Sequence, residues 1–321
     1  MKRCSLLGAA AAALALPLCA AASCGSAFCT INTNWDVQGA WQQPGARFDL
    51  RYEYIRQDQP MSGSRRIDVG EIPRHHDEVL TKNSNWLPSL DYTLDQDWGF
   101  NAQLPVVQRE HHHVHNHMGA QVPESWDFTE VGDARIVARR RLGSFQDAAA
   151  LSSGTYGVNF GLKLPTGGTN LRNDEGELAE RTLQPGTGTT DLLLGGYYSS
   201  QWPAKDLSWF AHALVQMPAN SHDDFRPGRR LSLDTGIRYL ANAKTSLMLQ
   251  ANVLFRGRDS GAQAEPEDSG GRALFLSPGI GYALTDALQV YAFLQLPLYQ
   301  YVNGVQLTAD RAIAVGMSTR F

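Results

Sequence analysis

From Arg47 to the last residue, apolar and polar positions alternate in runs of roughly ten, joined in turn by a short tight connection and a long polar one. A period of two sends successive side chains to opposite faces of an extended chain, so each run predicts a β-strand with one oily and one wet face. The first, RFDLRYEYI, sets Phe48, Leu50, Tyr52 and Tyr54 against Arg47, Asp49, Arg51 and Glu53. Trp86, Leu90, Tyr92 and Leu94 mark the second; Tyr156, Val158, Phe160 and Leu162 mark the fifth. Twelve such runs follow one another, and the last carries Ile313, Val315, Met317 and Phe321 to the end of the chain.

A soluble β-sandwich would alternate as well. Two features point away from it. The oily set is rich in Leu, Tyr, Trp and Phe while the opposite set holds Arg, Asp, Glu, Asn, Gln, Ser and Gly, a division suited to lipid outside and water inside. The connections also alternate in length around the whole chain, the long ones spanning 56–83, 110–132, 165–188, 218–228 and 257–271. The expected fold is therefore all-β: a transmembrane antiparallel up-and-down β-barrel of about twelve strands, with short periplasmic turns and long extracellular loops. A final strand ending on an aromatic residue can pair with the first and leave no open edge.

Residues 1–22 carry Lys2 and Arg3, an apolar run from Leu6 to Leu18, and Ala20-Ala21-Ala22, the layout of a secretory signal peptide. That run is too short to span a bilayer as a helix. The domain plan becomes a signal peptide over 1–22, an N-terminal periplasmic segment over 23–45 and an outer-membrane barrel over 46–321. The expected site is the bacterial outer membrane after export, with outer-membrane lipid as partner. A formal charge of -4 on 321 residues leaves nucleic acid out as a partner. Cys24 and Cys29 remain beyond the signal, and an even pair in an oxidising compartment predicts a disulfide; a lipid anchor on Cys24 and a two-thiolate metal site are the alternatives.

The stretch GLKLPTGG (Gly161–Gly168), followed by LQPGTGTTDLLLGGYYSS (Leu183–Ser200), resembles the outer-membrane transporter-like family named for the MetA pathway of phenol degradation. The resemblance implies a monomeric barrel that passes small solutes, often aromatic or hydrophobic, and it brings no catalytic residues. On the residues alone, Pro165 and the glycines around it end one strand and Pro185 to Gly188 launch the next, as loop punctuation does.

Candidate chemistry centres on REHHHVHNHM, Arg109 to Met118. His111, His113, His115 and His117 share the odd parity that faces the lumen, and i, i+2 spacing gathers imidazoles on one face, where Zn(II), Cu(II) or Ni(II) could be shared. His75 and His76 in the neighbouring loop could complete such a site, which makes metal-ion binding or uptake the alternative to solute transport. A solvated tract that holds metal adventitiously carries the same signal. The parities also turn Arg51, Arg135, Arg139, Lys163, Asp191, Asp234 and Arg238 into the lumen, either as a field that selects solutes or as cross-strand ion pairs that fill a narrow bore. His212 and Ser208 lie four residues apart on one strand, too far for a hydrogen-bonded nucleophile and base, so no catalytic step is expected.

Overall fold

The computed structural model describes residues 27, 29–39, 43–72, 77–117 and 120–321, with the backbone alone at 115–117 and 120. Residues 1–22, where a signal peptide is expected, and Cys24 lie outside them. The strands are β1 (Gly45–Gly63), β2 (Arg65–Arg66), β3 (Asp77–Thr93), β4 (Trp98–Gln103), β5 (Val106–His117), β6 (Ala120–Val131) and β7 (Arg135–Asp147) in the first half. The second half gives β8 (Ser152–Lys163), β9 (Asp191–Trp202), β10 (Leu207–Pro218), β11 (Arg230–Leu240), β12 (Thr245–Arg256), β13 (Gly271–Ala283) and β14 (Leu288–Arg320).

Eleven of these elements pair in a closed ring, running from β1 through β14 down to β7, then β4, β3 and back to β1. Every pairing is antiparallel, and an odd number of elements cannot alternate direction around a ring. β14 resolves this by reversing within itself. β13 pairs with its residues 289–302 and β1 with residues 302–320. The reversal falls at Asn303-Gly304, where Gly304 adopts φ +56° and a Cβ would strike Asp268. Counted by direction, the barrel has the twelve arms that the alternation predicts. Phe321 and Ala46 exchange backbone hydrogen bonds of 3.1 and 3.3 Å at the closing seam.

The outward parity is the oily one, as expected. Trp86, Leu90, Tyr92, Phe160, Leu192, Leu233, Ile237, Leu247, Ile280, Ile313 and Val315 are exposed around the outside, a continuous apolar belt that a water-soluble surface would not carry. No helix among the described residues is long and apolar enough to cross a membrane. Four of the short turns share one device. Asp95, Asp147, Asn242 and Thr285 each accept two backbone N–H groups from residues two and three further on, at 2.7–3.2 Å.

Two expectations need correcting. The connection at 56–83 is mostly strand, because β1 runs on to Gly63 and β3 begins at Asp77. The connection at 110–132 is a β-hairpin of β5 and β6, which leaves the ring at Leu104-Pro105 and pairs only with the upper part of β3. Both strands of that hairpin stand beside the ring, and outside the bilayer an outward position is as wet as an inward one, so the alternation that marks a strand fades.

Candidate functional site

The lumen is polar, and polar groups taken out of bulk water need partners. Much of that partnership comes from the segment that precedes β1. Residues 29–39 run inside the barrel and bind its wall. The Cys29 backbone N–H donates to Glu53 at 3.1 Å; Gln250 accepts from the Asn32 N–H at 3.0 Å and donates to the Asn32 carbonyl at 2.8 Å. Arg51 donates to the Ile31 carbonyl and to Thr33 at 3.2 and 2.8 Å, and Asp36 pairs with Arg47 at 3.3 Å. Trp35 is buried edge-on against Tyr291, 5.1 Å between ring centres, in an apolar cluster with Ile31, Ile55, Met248 and Phe293. Cys29 is buried; its expected partner Cys24 lies outside the described residues.

From the other end, the loop between β8 and β9 folds inward onto β5 and β6. Leu183 and Ala179 are buried against Val107, Trp126 and Phe128. Arg109 holds the loop there: its guanidinium donates to Asn83 at 2.8 Å and to the Leu183 carbonyl, and lies 5.5 Å from the Phe128 ring centre.

The base of the same loop explains the glycine motifs. Asp133, just before β7, accepts from the Gly167 N–H at 3.1 Å, from the Thr187 N–H at 3.0 Å and from Lys163 at 2.7 Å. Gly167 and Gly186 pass so closely that a Cβ on either would lie 2.7 Å or less from the other's backbone. The two motifs are thus the crossing point of the loop, clamped by one carboxylate. Sequence reasoning missed Asp133, because nothing local marks a residue whose partners lie thirty or more positions on.

Between the two inserted pieces lies a cavity of about 220 Å³. Cys29 and Arg51 border it, as do Pro185 to Thr187 and Phe225, Pro227 and Gly228, and its wall carries Leu87, Arg135, Lys163, Gln216, Arg230 and Arg256. Of the residues assigned to the lumen by parity, Arg51, Arg135 and Lys163 line this chamber. Asp191 lies beside it, 3.4 Å from Lys163. Asp234 sits deeper, bound to Asn252 at 2.8 Å and to the inserted Asn32 at 3.3 Å. Arg139 packs over Gly99, and Arg238 lines a separate pocket near Gln201 and Pro203. His212 faces Asn32, Asn159 and Asp234.

The histidines divide. His111 and His113 are buried on the inward face of β5, with Thr81 Oγ1 2.8 Å from His111, 3.3 Å between the two rings, and Glu124 2.9 Å from His113. Both pack against Trp126, at 5.9 and 4.8 Å. The side chains of His115 and His117, and all of His75 and His76, lie outside the described residues. Among the described residues no three His, Cys, Asp or Glu side chains are grouped to hold a metal ion.

The inserted loop also carries a titrating group. Burial, and then the charges of Glu265, Glu78, Glu124 and Asp268, push the Glu180 carboxyl well above the usual carboxylate range. A carboxyl that binds its proton more tightly in the folded arrangement supports that arrangement fully below its ordinary value, and the support is lost as pH rises through the raised one. The loop is accordingly expected to loosen from about pH 5 upward, seen as rising single-channel current in planar bilayers. Glu180→Gln should flatten the dependence, and a wild-type current indifferent to pH would count against it.

Residues 152–308 match the family described as "Putative MetA-pathway of phenol degradation". These residues belong to that family. They span β8 to the last arm of β14 and include both glycine motifs and the chamber residues Lys163, Arg230 and Arg256, while the inserted segment, Asp133 and the β5–β6 hairpin precede them. An outer-membrane channel from Pseudomonas putida F1 is 14% identical with a TM-score of 0.67, the likeness covering 91% of this chain and 100% of that one. At such identity the likeness is one of fold. The toluene transporter TbuX of Ralstonia pickettii is 10% identical, with 87% of this chain and 90% of that one covered and a TM-score of 0.40. A FadL homologue of Pseudomonas aeruginosa is 12% identical, with 91% and 93% covered and a TM-score of 0.36. Comparison with curated proteins gives no match.

Proposed function

We propose that this chain is an outer-membrane channel that passes small solutes, aromatic or hydrophobic compounds among them, without a chemical step. The observation that carries the reading is the chamber: a closed barrel with an apolar belt outside encloses a cavity of about 220 Å³ between two inserted pieces of chain. An inserted segment held by hydrogen bonds and one aromatic anchor is a movable barrier, whereas a lumen meant only to be filled needs no chamber. The family's phenol-degradation description supports the aromatic part of the reading, and the fold supports lipid as the barrel's surroundings. The working unit in this reading is a single barrel exported by the leader at its N-terminus.

The test is reconstitution of the full-length chain in planar bilayers and in liposomes loaded with a reporter of solute entry. Discrete current steps and entry of small aromatic solutes are expected. A folded barrel that passes neither ions nor solutes would overturn the reading.

A further inference from the structure

The chamber wall is more basic than its neighbours can neutralise. Lys163, Arg135, Arg230 and Arg256 reach it from four strands at one level. The register sets Arg135 opposite Lys163, Lys163 opposite Asp191, Gln216 opposite Arg230, and Arg230 opposite Arg256. Like charges facing across adjacent strands are destabilising unless something answers them.

The carboxylates in reach are already committed. Asp133 and Asp191 hold Lys163 at 2.7 and 3.4 Å, Asp259 holds Arg256 at 2.7 Å, Glu53 holds Arg51 at 3.0 Å, and Asp234 is bound to Asn252 and the inserted Asn32. Arg135 has an uncharged partner, Gln216 at 3.0 Å. Arg230 has no hydrogen-bond or ion-pair partner among the described residues, and its guanidinium borders the cavity. The remaining lining is mixed: Leu87, Pro105, Pro185, Phe225 and Pro227 supply apolar surface, beside polar groups that include Arg109 and Arg181.

We propose that the chamber is a binding site for a small organic carboxylate, its anionic end held by Arg230 and Arg135 and its apolar body against Phe225 and the prolines. A planar guanidinium presents paired N–H donors that match a carboxylate in two parallel hydrogen bonds, and a site shielded from bulk water strengthens them. Arg256, half answered by Asp259, adds field rather than a bond. The inference rests on the channel reading and narrows it: the solute selected is an aromatic or short aliphatic acid in its ionised form, and its neutral analogue is the poorer ligand.

Benzoate is the probe, with benzyl alcohol as its uncharged counterpart. Calorimetric titration of the purified full-length barrel at constant ionic strength should show benzoate binding about tenfold or more tighter than benzyl alcohol. The Arg135→Gln/Arg230→Gln double variant should lose that preference, and Arg230→Lys should keep part of it. In bilayers, benzoate should reduce the chloride current of the wild type and leave that of the double variant unchanged. Equal binding of the two probes by the wild type, or benzoate binding by a folded double variant as tight as the wild type's, would overturn the proposal. The wild-type comparison decides the matter even if the double variant fails to fold. A barrel that conducts but ignores benzoate sinks this site and spares the channel; one that binds benzoate but never conducts does the reverse.

Discussion

Replacing Trp35 by alanine is expected to free the inserted segment and open the lumen. The indole is buried among Tyr291, Phe293, Met248, Ile55 and Ile31, and its removal leaves a void that the barrel wall, fixed by its hydrogen-bond ladder, cannot close. Truncating a buried aromatic to alanine costs about 3–5 kcal/mol. Since each 1.4 kcal/mol is a factor of ten, the balance between docked and released segment should shift by roughly two to four orders of magnitude. The barrel itself should stay closed, because none of its strand pairings involves residues 29–39. The readout is the buried Cys29 thiol in a Cys24→Ser background, which should react with a maleimide far faster in the variant. Bilayer conductance should rise in parallel. A Cys29 labelled at the wild-type rate would show that the segment is held by its polar contacts and that Trp35 is dispensable.

Lys163→Met is expected to destabilise the folded barrel by about 3–5 kcal/mol, the cost of breaking a buried ion pair from one side. Lys163 is buried between Asp133 and Asp191, and with it gone two carboxylates would stay out of water without their cation. Asp133 would also be pulled from the clamp that holds Gly167 and Thr187, so the loop between β8 and β9 should lose its crossing point. The urea midpoint of the heat-modifiable folded form is the measurement. Asp133→Asn in the same chain should recover part of the loss, because it removes one of the stranded charges. A midpoint unchanged by Lys163→Met would mean that Arg135, facing the same chamber, takes over the pairing.

What could be read from the sequence follows where lipid meets the chain. Tyr156, Phe160 and Leu162 alternate with Gly157, Asn159 and Lys163 because bilayer and lumen differ sharply, and there strand, parity and facing were legible. Above the bilayer that contrast vanishes. Glu110 and His112 point outward on β5 as polar residues, with Lys82 2.9 Å from Glu110, and so a hairpin looked like a loop. The inserted segment was illegible for a different reason. Its partners are the side chains of Glu53, Gln250 and Arg51, and hydrogen bonds to backbone groups leave no trace in the residues that supply the backbone. Trp35, a large aromatic between Asn34 and Asp36, was the clearest available signal. The chamber was half legible: parity placed Arg51, Arg135 and Lys163 inside, but only the inserted pieces show which arginines share a space.

The four side-chain-capped turns bear on how such a barrel comes together. Asp95, Asp147, Asn242 and Thr285 each fix a reversal with atoms already in the turn, so most of the ring consists of hairpins whose contacts are close in sequence. Pairings of low sequence separation form quickly. The seam between β1 and β14 is the exception, joining Arg47 to Arg320 across nearly the whole chain. Assembly then divides into many fast local steps and one slow closure. Until that closure, a nearly complete sheet presents two unpaired edges of greasy strand to whatever lies nearby, and this interval, rather than any single hairpin, is where a chaperone or an insertion machine has most to contribute.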